Sequence, residues 1–242
     1  MNGLISVISV YNNDELLNEM IVSLNKQKDV EVKRIFIDNK NGKFSSAAKA
    51  LNYGVDHSTG DVLVFLHQDI EFLDSYVLKN IYDFVIKNKE KIVGAAGVKS
   101  KETDKTSEIL SAMCEGEEKS RYVTLDAPEK AFVLDECLIA CHRDCFKKIR
   151  FDEELCDGWH LYGADLCLQA INFAGFSVYV LPMNVWHKSH GNADKSYFKT
   201  QNKLAKKYRN YYKIINTTNS YVFTNSIKRL LQNLYRKVKY NQ

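Results

Sequence analysis

A few short polar clusters in this 242-residue chain carry the side chains that could do chemistry. Asp69 ends a hydrophobic run in FLHQDIEF. A carboxylate there loses solvation unless positive charge faces it. A divalent ion on a diphosphate would supply that charge; the other reading is a cap for the segment that follows. Oxygen and imidazole donors together suit Mn2+, and oxygen alone suits Mg2+. His187 and His190, in VWHKSHG, are the candidate further ligands, and Gly191 would let backbone approach a phosphate. Asp38, in FIDNKNG, can accept the N–H of a uracil ring or serve only as a turn residue. Asp165, in YGADLCLQA, stands near a helix start. It is either a cap favoured by the helix dipole or a general base that deprotonates an acceptor hydroxyl. Asp157 and His160, just upstream, are rivals for the base.

Other chemistries lose their support. No GxGxxG follows the first apolar run, and GxxxxGK[ST], GxSxG and HExxH are all missing from the chain. Cys137, Cys141 and Cys145 recur every fourth residue, but no CxxC pair exists, and ECLIACHRD has the look of a strand. Buried, free thiols in a reducing cytoplasm are expected rather than a metal cluster. The opening MNGLISVISVYNND is too short in its apolar run for a secretory leader and lacks a cationic start.

The elements that must position these groups follow from periodicity. LISVISV is apolar and β-branched, a buried strand. Asp14 is its neighbouring helix cap, and Leu16, Leu17, Met20, Ile21 and Leu24 recur at helical spacing. VKRIFIDNKNG, DVLVFLHQD and IVGAAGV read as further strands; SSAAKALNYGVDHS and residues 76–89 read as helices. That β-α-β-α-β-α-β alternation predicts a mostly parallel central sheet flanked by helices. Ligands in such sheets lie beyond the carboxyl ends of the strands. The ends at Ser9-Val10-Tyr11-Asn12, Asp38-Asn39-Lys40 and His67-Gln68-Asp69 therefore belong together. Residues 99–130 read as a loop-rich excursion, ECLIACHR as a strand, residues 164–173 as a helix ended by Gly175, and SVYVLP as a strand before VWHKSHG.

Charge divides the chain. Twelve of the 34 basic residues and none of the 30 acidic ones lie in 195–242, which leaves the first 194 residues at −8. A catalytic domain over 1–194 and a basic, aromatic helical tail over 195–242 are expected. The tail would dock on an anionic membrane surface, or pack on the acidic body or on a second copy as a homodimer. A nucleic-acid-binding protein is the competing reading of the tail, opposed by the acidic body and the want of a known nucleic-acid module. A nucleotidyltransferase is a third, opposed by SVYNNDELL, which has no Gly-rich basic motif. No run approaches the ~20 apolar residues of a membrane span.

The segments SVISVYNN, LLNEMIVSLNKQ, IFIDN, ALNYGVDHSTGDVLVFLHQD, FDEELCDGWHLYGADLCLQA and VWHKSHG occur in that order. In this order the chain resembles the family 2 type of GT-A glycosyltransferases, in the bacterial subgroup with HQD in place of DXD, over roughly residues 4–192. The resemblance implies a GT-A fold, a nucleotide-sugar donor with UDP as carrier, an inverting displacement, and a glycan or lipid-linked acceptor in bacterial surface polysaccharide synthesis. By position it puts Ser9, Tyr11 and Asp38 on the nucleoside, with His67, Gln68 and Asp69 at the donor. It makes Asp69 the metal ligand, His187 the second, and His190 the lesser candidate. Glu136, Trp159 and His160 would face the acceptor, and Asp165 falls near the acidic motif that supplies the base. The chain departs from the family at His67, at Asp38-Asn39 with one carboxylate fewer, and at Tyr162-Gly163 in place of Glu-Asp.

Overall fold

The computed structural model describes residues 3–99, 108–116, 119, 125–189 and 193–240. In chain order the first half runs β1 (Leu4–Tyr11), α1 (Asp14–Leu24), β2 (Glu31–Asp38), α2 (Ala47–Asp56), β3 (Val62–His67), β4 (Ile70–Phe72), α3 (Val77–Lys87), β5 (Lys91–Gly94) and β6 (Ala96–Lys99). Then come β7 (Glu108–Ser111), β8 (Met113–Glu115), β9 (Glu129–Ala131), β10 (Val133–Leu134), β11 (Leu138–His142) and α4 (Tyr162–Gln169). The chain continues with β12 (Ser177–Val180), β13 (Val185–His187), α5 (Lys195–Lys207), β14 (Ile214–Asn216), β15 (Tyr221–Phe223) and α6 (Ser226–Tyr240).

The main sheet has seven strands in the order β2-β1-β3-β11-β5-β12-β9. β1 runs parallel to β2 and β3, and β12 runs parallel to β5; β11 is antiparallel to both β3 and β5. The expected mostly parallel sheet is present, with β11 inserted against the grain between the third and fourth parallel strands. Alternation of elements could not reveal that insertion, because β11 returns from residues far downstream. β3 is buried on both faces, and Phe65 meets Phe151 edge-on at 5.1 Å. All six cysteines are buried and outside any disulfide.

Local details correct several expectations. Asn13, not Asp14, caps α1: its side chain accepts from the backbone of Glu15 and Leu16. IVGAAGV is two strands, since the chain leaves the main sheet at Ala95 and joins β10 and β7 in a second sheet. The excursion contains β7 and β8, short strands whose periodicity is too brief to read. The helix α4 runs on into a π-helical turn that Gly175 closes at φ 73°, as expected of a C-terminal glycine.

The boundary expected after Asp194 does not fall at an edge of the core. α5 buries Tyr197, Leu204 and Ala205, and Tyr208 beyond it is fully buried. Its lysines meet the acidic body: Lys199 and Lys203 pair with Asp157, and Lys207 with Asp152 and Asp165. The first part of the basic tail is thus packed on the body, where three of its twelve basic residues meet carboxylates.

Candidate active site

A third, small sheet builds the centre of the site. In it β13 lies between β4 and β8, with His187 opposite Ile70 on one side and Glu115 on the other. β4 begins immediately after Asp69, so this register carries His187 across the chain to the end of β3. The ligand atoms of His67, Asp69 and His187 all lie within 4.8 Å of one another. His187 Nε2 is 3.4 Å from Asp69 Oδ1, and the Ser189 N–H donates to Asp69 Oδ2 at 3.3 Å. Tyr162 holds His67, its hydroxyl 2.9 Å from Nε2. His190 lies outside the described residues.

The electrostatics of this trio favour a positive charge beside Asp69. Burial opposes the charge on Asp69, yet His187 and Ser189 hold its carboxyl far below the usual range. Burial likewise opposes a charged His187, but the Asp69 and Glu115 carboxylates raise it to about 9. His67 is pushed down by burial and by His187. The pocket therefore keeps one positive charge beside Asp69, here a proton on His187. Two imidazoles and a carboxylate can replace that proton with a transition-type divalent ion. Donors ~2.2 Å from one ion at tetrahedral angles stand about 3.6 Å apart, a spacing that His187 Nε2 and Asp69 Oδ1, 3.4 Å apart, already have. The Nδ1 atom of His187 is buried and has no hydrogen-bond partner among the described residues. Glu115 Oε1, 3.9 Å from it, is placed to take up that proton donor once the ring is fixed.

Two adjoining hollows meet at this trio. The first, ≈ 380 Å³, lies past the ends of β1 and β3 and is lined by Tyr11, Asn12, Asn39, Gln68, Asp69 and Trp159 among others. No lysine or arginine among the described residues lines it, so among these an anionic ligand would face Asp69 without neutralisation unless a cation intervened. Gln68 clamps the floor: its Oε1 accepts from the Asn12 and Asn13 backbone at 2.9 and 3.0 Å. Tyr11 is paired with Asp38 across the β1–β2 register, and Asp38 accepts from the Lys40 backbone at 2.9 Å, which holds its carboxyl ionised. The second hollow, ≈ 330 Å³, shares His67, Trp159 and Ser189 and adds Glu115, Asp135, Glu136, His160, His187 and Thr218.

Glu136 is the titratable group most altered by the second hollow. Burial, then the neighbouring Asp135, raises its carboxyl to about 8, although backbone N–H groups of Gly163 and Leu161 face it. Leu161 presents that backbone from a left-handed conformation, φ 64°, a strained geometry for leucine. At Gly163 a Cβ would stand 3.1 Å from Glu136 Cγ and 2.8 Å from Ile139 Cδ1. Asp135 is committed elsewhere, accepting from the Cys137 backbone at 3.1 Å and the Thr218 hydroxyl at 2.8 Å.

The structure moves three expected residues away from chemistry. Asp165 is fully buried, its oxygens taken by Lys207 (2.8 Å), Tyr208 (2.8 Å) and Gln169 (2.7 Å), and it lines neither hollow. It ties α4 to α5 and has no route to an acceptor. Asp157 is turned outward to Lys199 and Lys203. Ser9 is fully buried within β1, its hydroxyl without a partner among the described residues, and does not reach the hollow. Trp159 and His160 do line the second hollow, His160 held 3.4 Å from Asp194. Sequence reasoning missed Tyr162 and Glu115 beside the histidines, and Thr218 behind Asp135. Tyr162 had a signal, since it replaces an acidic residue of the resembled pattern.

The model of the glycosyltransferase-like family matches residues 6–211. A protein of Fuscovulum blasticum named for the ATP synthase subunits region, ORF 6, is 27% identical over 165 residues, 63% of this chain and 61% of its own length. The chain thus spans about three fifths of that relative. Among solved structures, GalNAc-T7 with UDP, GalNAc and Mn2+ aligns over 84% of this chain and 48% of its own, at 13% identity and a TM-score of 0.57. S. aureus TarS aligns over 84% of this chain and 39% of its own, at 14% identity and a TM-score of 0.52.

Proposed function

The chain belongs to the glycosyltransferase-like family and has the GT-A fold, and on that premise we propose that it moves a sugar from a UDP-sugar to a hydroxyl of a glycan or lipid-linked acceptor. The observation that carries this is the His67–Asp69–His187 trio at the junction of the two hollows. The presence of UDP, GalNAc and Mn2+ in the GalNAc-T7 structure supports the same division of the site. The first hollow takes the nucleotide: Tyr11 on its wall, with Asp38 beside it at the rim of β2, receives the nucleoside, and Gln68 keeps the β1 and β3 ends in register beneath it. His67, Asp69 and His187 would hold Mn2+, favoured over Mg2+ by its two imidazole donors. When bound, the ion supplies the positive charge that stabilises a departing diphosphate.

Trp159, which with His67 and Ser189 lines both hollows, lays the sugar across the junction. The acceptor enters the second hollow beside Glu136 and His160. Glu136, in place of Asp165 or Asp157, takes the proton from the acceptor hydroxyl as its oxygen attacks. A carboxyl raised to about 8 beside the anchored Asp135 is the pairing expected of a general base. Since base and leaving group occupy different hollows, the oxygen attacks opposite the diphosphate. The displacement is then single and inverting, with no protein nucleophile. The subgroup resemblance supports a setting in bacterial surface polysaccharide assembly.

Incubation with a panel of UDP-, GDP- and CMP-sugars tests this by nucleotide release. Mn2+-dependent release of UDP is the expected result. Absence of any nucleotide release or binding with Mn2+ present would overturn the proposal.

A further inference from the structure

The helix α6 is turned the opposite way from an ordinary surface helix. Three of its polar side chains face the protein: Gln232 bonds the backbone of Phe223 and Tyr221, Asn233 bonds Asn202, and Arg236 bonds Gln201 and Tyr221. An apolar stripe faces away. Ile227, Leu230, Leu231 and Leu234 recur at one-face spacing and are each 50–69% exposed. An amphipathic helix normally buries that stripe. Here hydrogen bonds hold the other face down, so the outward stripe is fixed in place by the fold and is not the result of a loose end.

Charge selects what covers it. Lys228 and Lys237 are exposed beside the stripe, and no acidic residue occurs anywhere from 195 to 242. A second copy of this face would bring cation against cation, whereas anionic lipid headgroups bring the opposite charge to a stripe that enters the acyl boundary. At 1.5 Å per residue the 15-residue helix is ~22 Å long, and among the described residues no helix is long and apolar enough to cross a membrane. It is built to lie on a surface.

The seat of α6 is also the wall of the second hollow. Gln232 and Arg236 bond to β15, and the turn between β14 and β15 brings Thr218 and Asn219 into that hollow. We propose that the Ile227–Leu230–Leu231–Leu234 face of α6 docks on an anionic lipid bilayer and so holds the second hollow toward an acceptor anchored in it. The acceptor half of this statement rests on the sugar-transfer reading; the docking half does not.

Co-flotation of the full chain with phosphatidylcholine vesicles, with and without phosphatidylglycerol, tests it. One variant is Leu230→Ser with Leu231→Ser and Leu234→Ser; another is Lys228→Glu with Lys237→Glu. The wild type should float with the anionic vesicles, and recovery should drop about tenfold on neutral vesicles and in each variant. Melting temperatures and Mn2+-dependent UDP binding, measured on the same samples, should not change. Equal flotation on both vesicle types, or in either variant, overturns the docking. So does a lipid-free dimer, seen by sedimentation, that the leucine variant splits into monomers. Flotation without UDP binding would leave the docking standing and sink the sugar-transfer reading alone.

Discussion

Replacing Glu136 with glutamine should make the protein more stable and disable it. Glu136 is held at about 8 against an ordinary 4.5, so the folded protein keeps a proton that the unfolded chain releases. Its contribution is therefore fully present below pH ~4.5 and declines as pH rises to about 8, at about 1.4 kcal/mol per pH unit. By pH 7 that amounts to about 3 kcal/mol, and Glu136→Gln, which has no proton to lose, escapes the decline. Urea denaturation of both forms at successive pH values reads this directly. The stability difference should grow steadily in favour of the variant from pH 5 to 8 and then level off. Transfer activity of the variant should fall by about 10²–10⁴, and the wild-type rate should rise with pH to an inflection near 8. A stability difference that ignores pH would refute the burial of this carboxyl, and near-normal activity would refute its role as base.

Further substitutions probe the supports. Gly163→Ala should push Glu136 aside through the 3.1 Å contact with its Cγ, lowering activity at least ~10-fold and stability by about 1–3 kcal/mol in thermal melts. Asp165→Asn should cost about 2 kcal/mol in urea denaturation, because Lys207 keeps only Asp152 as an acidic partner, yet the folded enzyme should turn over normally. A large fall in turnover with unchanged stability would return Asp165 to the chemistry.

The sheet and the strand ends that line the first hollow were legible because they are local. A strand such as DVLVFLHQD announces both its burial and the polar group at its end, and three such ends in parallel must share an edge. His187 was legible only as a histidine after a strand; its arrival at Asp69 depends on the β4–β13 register, which two three-residue strands do not advertise. The burial of Asp165 was hidden for a related reason. Near a helix start, a carboxylate facing the core and one facing a cleft have the same spacing, and only Lys207 and Tyr208, some 40 residues on, decide which Asp165 is. The tail was read as one basic unit because charge was counted without pairing. Its first helix uses those charges on the body, and its last presents an exposed leucine stripe.

The most direct measurement is calorimetric titration of UDP with Mn2+ or with EDTA, in the wild type, Asp69→Ala and His187→Ala. UDP should bind the wild type only with Mn2+, and each substitution should weaken that binding by about 100-fold or more. Equal affinity in EDTA, or in Asp69→Ala, would contradict a cation-bridged diphosphate at this trio.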